Sequence, residues 1–421
     1  MASKETGRAA VVGAGIVGLS AAWFLRREGF DVTVFDRRSV AAGASAGNAG
    51  WICPAMTVPL PEPAVLRSAV GSLLRPNSPL RIPPRSLPGT WRFLASFAAH
   101  STARRWRAGV AAFAPINALA LAAYDELADG GVTGTTREAG IVAGFDRPSD
   151  AALMRHELDA IEASGQPVRF TELTERELRR ERPLLADRAR YGLRVDGQRY
   201  VQPLAYVQSL AAAVAERGAV LESGQVVTAV TPRPGGGTRV VAGGQPADFD
   251  VTVLASGAWL GRLAQAAGVG VPVVAGRGYS FTVALAERLT GPLYLPGLRV
   301  ACTPAPGGMR LAGTMEFRPP DAPLDQRRID AIVASARDWL PGVDWGTATG
   351  DWVGPRPVTA DGLPVIGRTA ADGVFVAGGH GMWGMTLGPA TGKLLAEMIV
   401  TGRRPGALEP FDPRRPAGLW R

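Results

Sequence analysis

One turn near the N-terminus limits what this chain can fold into. Ala9–Val12 is a short apolar run that ends in Gly13-Ala14-Gly15-Ile16-Val17-Gly18, and Leu19–Arg27 then carries apolar residues at helical spacing. Strand, glycine-rich turn and helix in that order make a nucleotide-binding unit. Gly13 permits the tight turn, Gly15 lets backbone approach a pyrophosphate, and Gly18 lets helix and strand pack closely. The phosphates then meet a helix N-terminus, where unpaired N–H groups and the helix dipole favour anions. A glycine-rich turn alone is common, but here a second strand, Asp31–Phe35, ends in Asp36, followed by Arg37. That places a carboxylate about twenty residues beyond the turn, where it can accept from a ribose hydroxyl.

The remaining question is which dinucleotide. A chain that reduces a flavin with NAD(P)H usually carries a second fingerprint, and none is present. Instead Asp250–Leu254 leads into Ala255-Ser256-Gly257-Ala258-Trp259, a late strand and turn suited to closing over a bound cofactor. One nucleotide site with this second element favours FAD. With 421 residues, 46% of them hydrophobic, the chain can bury a large core in two domains or one interrupted domain. Cys53 and Cys302 cannot build a disulfide framework, and with His100, His156 and His380 the only histidines, no metal site is expected. Residues 1–8 run straight into a strand and leave no room for a signal peptide, so the chain is expected to be cytoplasmic. No unbroken apolar run is long enough to span a bilayer, Val110–Tyr124 being interrupted by Pro115 and Asn117.

Five segments, in order, resemble the FAD-dependent D-amino acid oxidase superfamily, and within it the D-amino acid dehydrogenases. After the fingerprint, Ser45-Ala46-Gly47-Asn48-Ala49-Gly50-Trp51 is similar to the dehydrogenases' Ser-x-x-Asn-Ala-Gly loop. Ser78–Pro88 with Trp91–Leu94 is similar to the lead into their first substrate-domain helix. Gly278-Tyr279-Ser280 resembles their Lys-Gly-Tyr-Ser, with Arg277 in place of lysine, and Arg310–Glu316 resembles the strand that follows. The most specific match is Trp352–Gly367 with Gly378-Gly379-His380-Gly381-Met382-Trp383-Gly384-Met385-Thr386. Met382 departs from glycine oxidases, which carry arginine there, and some dehydrogenases have threonine and leucine where Met382 and Trp383 stand.

The resemblance implies an α/β fold: a Rossmann-like FAD-binding domain interleaved with an α+β substrate domain containing an antiparallel sheet. Residues 7–60, 195–268 and 351–410 are expected in the first domain, and 61–194 and 269–350 in the second. It implies oxidation of the CH–NH bond of D-amino acids to imino acids, which hydrolyse to 2-oxo acids and ammonia, with electrons passing to a quinone or another acceptor. Oxidation of glycine, sarcosine or a cyclic secondary amine is the alternative. The expected cofactor residues are Gly13 to Gly18, Asp36, Arg37, Ser45, Asn48, Ala49, Gly50, Val227, Ser256, Gly257, Gly379, Gly384, Met385 and Thr386. Arg356, held between Pro355 and Pro357, is the expected carboxylate ligand, since a guanidinium makes two parallel charge-assisted hydrogen bonds. Tyr279 donates its hydroxyl to that carboxylate, lines the pocket or is a core tyrosine, and His380 is either catalytic or a structural cap. The helix from Gly384 would bring its positive dipole end to the flavin.

Several local expectations follow from periodicity and capping. Residues 88 to 128 read as helical, Ser149 to Ser164 as a helix capped by Ser149, Leu173 to Arg182 and Leu204 to Arg217 as further helices, and 226–241 as a hairpin. From Pro63 to Tyr124 there is no acidic residue but there are eight arginines, interleaved with Trp91, Phe93, Leu94, Phe97 and Trp106. That segment reads either as a surface for peripheral membrane contact or as core helices with solvated arginines. The net charge of +9 would also permit nucleic acid, but no nucleic-acid motif accompanies it and no such partner is expected.

Overall fold

In the computed structural model, residues 7–63, 80–81 and 88–416 are described. The near-continuous apolar runs Arg8–Val12, Asp31–Asp36 and Val251–Leu254 form the middle of a six-stranded sheet, as expected for parallel strands covered on both faces. Its order is Val220–Ser223, Asp31–Asp36, Arg8–Val12, Val251–Leu254, Val374–Gly378 and Val365–Arg368, the last pairing being antiparallel. Strands far apart in sequence are thus neighbours in one sheet. The 226–241 hairpin is present and gains a third strand, Gln245–Phe249.

The helix Ile16–Arg27 is buried along almost its whole length because the last helix, Gly384–Thr401, crosses it closely. Gly388 and Gly392 make the crossing possible: a Cβ at Gly392 would lie 2.5 Å from the carbonyl carbon of Ser20, and one at Gly388 3.0 Å from Ile16. Because Arg8–Val12 and Val374–Gly378, the strands before these helices, run parallel, both helix N-termini open on the same side of the sheet.

The second layer is a nine-stranded mixed sheet. From one edge inward its antiparallel strands are Thr349–Thr359, Val273–Ala284, Gly308–Phe317 and Val300–Ala305. Two pairings in it are parallel, Leu293–Leu295 with Ile141–Phe145 and Leu80–Arg81 with Gly308–Phe317, so it is not purely antiparallel. Residues 351–359, grouped by motif with the FAD-binding pieces, belong to this sheet instead. They pair along Val273–Ala284 in a register running from Val273 opposite Thr359 to Thr282 opposite Thr349.

The helical expectations needed smaller corrections. The 88–128 stretch is two helices, Pro88–His100 and Ala103–Asp129, broken where Thr102 Oγ1 accepts from the Arg105 N–H and caps the second. Ser149 is not a cap: Pro148 takes the first helical position and Arg147 precedes it, because a proline at that position lacks only an N–H that would be orphaned anyway. Leu173 ends a strand, and the helix Glu175–Glu181 starts behind a capping box formed by Thr174 and Glu177. Among the described helices Ala103–Asp129 is long and apolar enough to cross a bilayer, yet it is built into the core. Phe113 packs on Phe411, Tyr124 packs on Tyr206 and donates its hydroxyl to the Met385 carbonyl, and Glu126 pairs with Arg27 and Lys393.

Candidate active site

Between the two layers lies a cavity of about 1490 Å³. Pockets for drug-sized ligands measure roughly 300–1,000 Å³, so this one has room for a dinucleotide with a small molecule beside it. Its first wall is the glycine turn. Gly13 adopts φ +120°, and a Cβ there would lie 2.8 Å from the carbonyl carbon of Ala255 and nearer still to its oxygen. Gly18 packs just as tightly on the Gly13 carbonyl and does not border the cavity. Gly15 does border it and has only Ser45 Oγ within reach, so its missing side chain leaves room for a ligand. The Ile16 N–H donates to Ser45 Oγ at 3.1 Å, and the Ala14 N–H to Asp36 Oδ2 at 2.9 Å.

The Ser45–Gly50 loop is tied to the second sheet across the cavity. Ser280 Oγ donates to the Gly47 carbonyl, and Thr303 Oγ1 to the Ala49 carbonyl. Val227, Ser256 and Gly257 border the nucleotide end, where the Ser256 hydroxyl is buried with no partner among the described residues. Arg37 also lies there. With Arg38 it pairs with Asp321 while stacking over Trp259, whose Nε1 donates to the same carboxylate at 2.9 Å. Burial would raise the Asp321 carboxyl, but the Trp259 N–H and the two arginines outweigh it and hold it below its ordinary value. From the C-terminal side, Gly384 and Met385 bring in the start of a helix whose N-cap, Trp383, offers no side-chain acceptor. A helix N-terminus on each side, the open space at Gly15 and the orphaned Ser256 hydroxyl all fit FAD.

Four of the expected cofactor residues besides Gly18 do not border the cavity. Ala14 is buried in the turn, Gly50 packs on Val201 and Pro203, and Gly379 packs on Thr359 and Val365. Thr386 is occupied, accepting from the Cys53 N–H and donating to the Trp51 carbonyl. Bordering residues that the sequence did not single out include Gln225, Thr228, Arg262, Arg299 and Thr314. Of these, Thr228 lies in the 226–241 hairpin and Thr314 in the Arg310–Glu316 strand.

The three catalytic candidates all border the cavity but differ in freedom. The Tyr279 hydroxyl, one candidate for a substrate carboxylate, donates to Glu316 at 2.7 Å across the sheet, and burial with that neighbour pushes its pKa to about 12. His380 is buried with Nε2 3.0 Å from Thr391 Oγ1, and desolvation lowers its pKa to about 4. It is a neutral tie between the loop and the last helix. Arg356 donates from Nη1 to the Thr314 carbonyl at 2.9 Å and has no carboxylate partner among the described residues. Desolvation lowers its pKa to about 10, which leaves it cationic at neutral pH. Thr314 holds φ +55°, which is uncommon for a β-branched residue and aims its carbonyl at the guanidinium. Cys53 also borders the cavity, with burial pushing its thiol to about 12 and keeping it protonated.

Residues 8–398 match the family model for FAD dependent oxidoreductases, DAO. The chain belongs to this family. A D-amino acid dehydrogenase from Xanthobacter autotrophicus is 30% identical over 408 residues, covering 94% of this chain and 96% of the relative. One from Methylobacterium nodulans matches with the same identity and coverage. Among solved structures, glycine oxidase from Geobacillus kaustophilus superposes with a TM-score of 0.74 at 23% identity, covering 98% of this chain and all of the other. L-proline dehydrogenase from P. horikoshii superposes at 0.70 and 16% identity, covering 98% of each chain. This DAO-family chain is an FAD-dependent oxidoreductase, and the likeness to these solved structures shows its fold.

Proposed function

We propose that the enzyme oxidises the CH–NH bond of D-amino acids, with Arg356 as the ligand of the substrate carboxylate. The observation that carries this reading is a desolvated guanidinium at the cavity wall with no anionic partner among the described residues. A partly buried charge without a counter-ion is costly, and an incoming carboxylate offsets that cost through two charge-assisted hydrogen bonds. Pro355 and Pro357 restrict the backbone on either side, so little is lost in ordering the arginine. The curated relatives named as D-amino acid dehydrogenases support the substrate class. When bound, FAD supplies the two-electron acceptor that the side chains lack. Tyr279 and His380 are both committed to protein partners, so neither takes the substrate's proton, and the amine must arrive deprotonated. Oxidation then favours higher pH, where more of the substrate amine is deprotonated.

A quinone is the proposed acceptor, reached at an anionic membrane surface. The support is Arg104, Arg105 and Arg107, exposed at the start of one helix, and Trp91, half exposed on the preceding one. Arg67, Arg75 and Arg85 of the same acid-free segment lie outside the described residues.

The test is anaerobic bleaching of the flavin by single D- and L-amino acids, glycine, sarcosine and proline isomers. Bleaching by D-isomers, slow recolouring in air and fast recolouring with a quinone are expected. Arg356→Ala should raise KM at least tenfold, about 1.4 kcal/mol. A yellow protein that no amino acid bleaches overturns the substrate assignment. Equal flotation with anionic and neutral liposomes removes the membrane contact.

A further inference from the structure

We infer that the substrate end of the cavity selects D-amino acids with large apolar side chains. The inference rests on the amino-acid reading above and adds the identity of the side chain. Side chains alternate along a strand, so Arg356 and Val358 share one face of Thr349–Thr359. Val358 is buried with Phe93, Phe317 and Ala360, and Leu60, Leu94, Phe97 and Met315 pack against that group. Leu60, Trp91, Leu94, Phe97, Met315 and Phe317 all border the same cavity as Arg356. The glycines of the neighbouring strand let these side chains lie close across it. A Cβ at Gly276 would lie 2.9 Å from Val358 and 3.2 Å from the Met315 sulfur, and one at Gly278 would collide with the guanidinium. A substrate anchored by its carboxylate on Arg356 therefore lies beside an apolar wall.

Charge narrows the choice further. Among the described residues bordering the cavity the only carboxylate is Asp36, which sits at the glycine turn and the nucleotide end. A cationic side chain on the substrate would be buried with no counter-ion. Arg299 borders the cavity as well, but Glu62 Oε2 lies 3.9 Å from its Nη2, and Glu157 acts on the same guanidinium. An acidic side chain would share that guanidinium with Glu62 and Glu157 and gain less from it. Small side chains cover little of the wall, whereas leucine, methionine or phenylalanine would cover more apolar surface on binding. Trp91 and Leu153 border the cavity while remaining 50% and 47% exposed, so the apolar lining continues to the mouth.

The holoenzyme should be assayed with D-leucine, D-methionine, D-phenylalanine, D-alanine, glycine, D-arginine and D-glutamate under one acceptor. The expected kcat/KM for D-leucine and D-phenylalanine is at least tenfold above that for D-alanine, and higher again above D-arginine and D-glutamate. Leu94→Glu, which adds a carboxylate to the wall, should shift the D-arginine to D-leucine ratio at least tenfold toward arginine. Trp91→Ala, at a half-exposed position that the fold tolerates, should lower the D-leucine to D-alanine ratio. D-alanine or D-arginine equalling D-leucine overturns the inference, as do unchanged ratios in the folded variants. If no D-amino acid reduces the flavin, the amino-acid reading itself fails; if all do so equally, only the apolar preference fails.

Discussion

Gly278→Ala tests the role of Arg356 without touching its charge. Gly278 is absent from the glycines with positive φ, so its strand backbone accepts alanine without strain. The new Cβ would lie 2.8 Å from Arg356 Nε and closer still to Cζ and Nη2. Unbonded heavy atoms settle at about 3.5–4.0 Å, so the guanidinium must retreat by about 1 Å or more. It then loses the 2.9 Å bond from Nη1 to the Thr314 carbonyl, and with it the direction of its fork. The end of an arginine is flexible, so the fold gives way cheaply, and restricting the unfolded chain adds back roughly 0.4–1 kcal/mol. Function is less forgiving, because a misplacement of about 1 Å can cost on the order of 100-fold, or about 2.7 kcal/mol. Anaerobic stopped-flow reduction against D-amino acid concentration gives Kd and the reduction rate separately, and melting and the flavin spectrum report the fold. We expect Kd to rise about 30- to 100-fold with little change in Tm. A Kd within twofold of the parent, in folded and flavin-loaded protein, would refute Arg356 as the carboxylate ligand.

Three further outcomes follow from the packing. Gly392→Ala forces a Cβ to 2.5 Å from the Ser20 backbone at the helix crossing, and overpacking of this kind should cost about 1–3 kcal/mol, read as lower Tm and faster flavin loss. Asp321→Asn weakens the hold on Arg37, Arg38 and Trp259 at the nucleotide end, so the FAD dissociation rate should rise severalfold, measured by recovery of flavin fluorescence; an unchanged rate would deny the cluster any part in retention. At Asp361, burial would raise the carboxyl, but bonds from Arg415 and the Leu363 N–H hold it below its ordinary value. Its stabilising contribution is therefore full above an unfolded pKa near about 3.9 and lost as pH falls through the lower folded value. Asp361→Asn should cost about 1.5–3 kcal/mol at pH 7 and flatten the acid end of a melting-temperature profile.

What could be read from sequence was what the backbone demands locally. Gly13 and Gly18 announce the nucleotide turn because no other residue suits their conformation or spacing. Gly50 and Gly379 look alike in sequence but serve packing, and only their neighbours, Val201 and Thr359, tell the two kinds apart. Arg356 stood out through its motif and not through any local signal, since the Thr314 carbonyl that orients it lies 42 residues away. Tyr279 shows the same limit: Glu316, which takes its hydroxyl, comes from the adjacent strand 37 residues on. The aromatic segment after residue 88 was legible as amphipathic but not as a cavity wall. Phe93 and Trp106 went to the core, Leu94 and Phe97 to the cavity, and Trp91 to its mouth.

The order of the parallel sheet also dictates when the cofactor can be captured. The opening strand Arg8–Val12 has Val251–Leu254 as its neighbour, which in turn needs Val374–Gly378, and the helix facing the glycine turn begins only at Gly384. A growing chain thus makes its nucleotide fingerprint long before the helix that closes it. Flavin loading must wait until the helix from Gly384 is in place, and a bound flavin then clasps that helix to the glycine turn, adding its binding free energy to the folded state. A truncation before Gly384 would keep every residue of the fingerprint and yield a colourless protein.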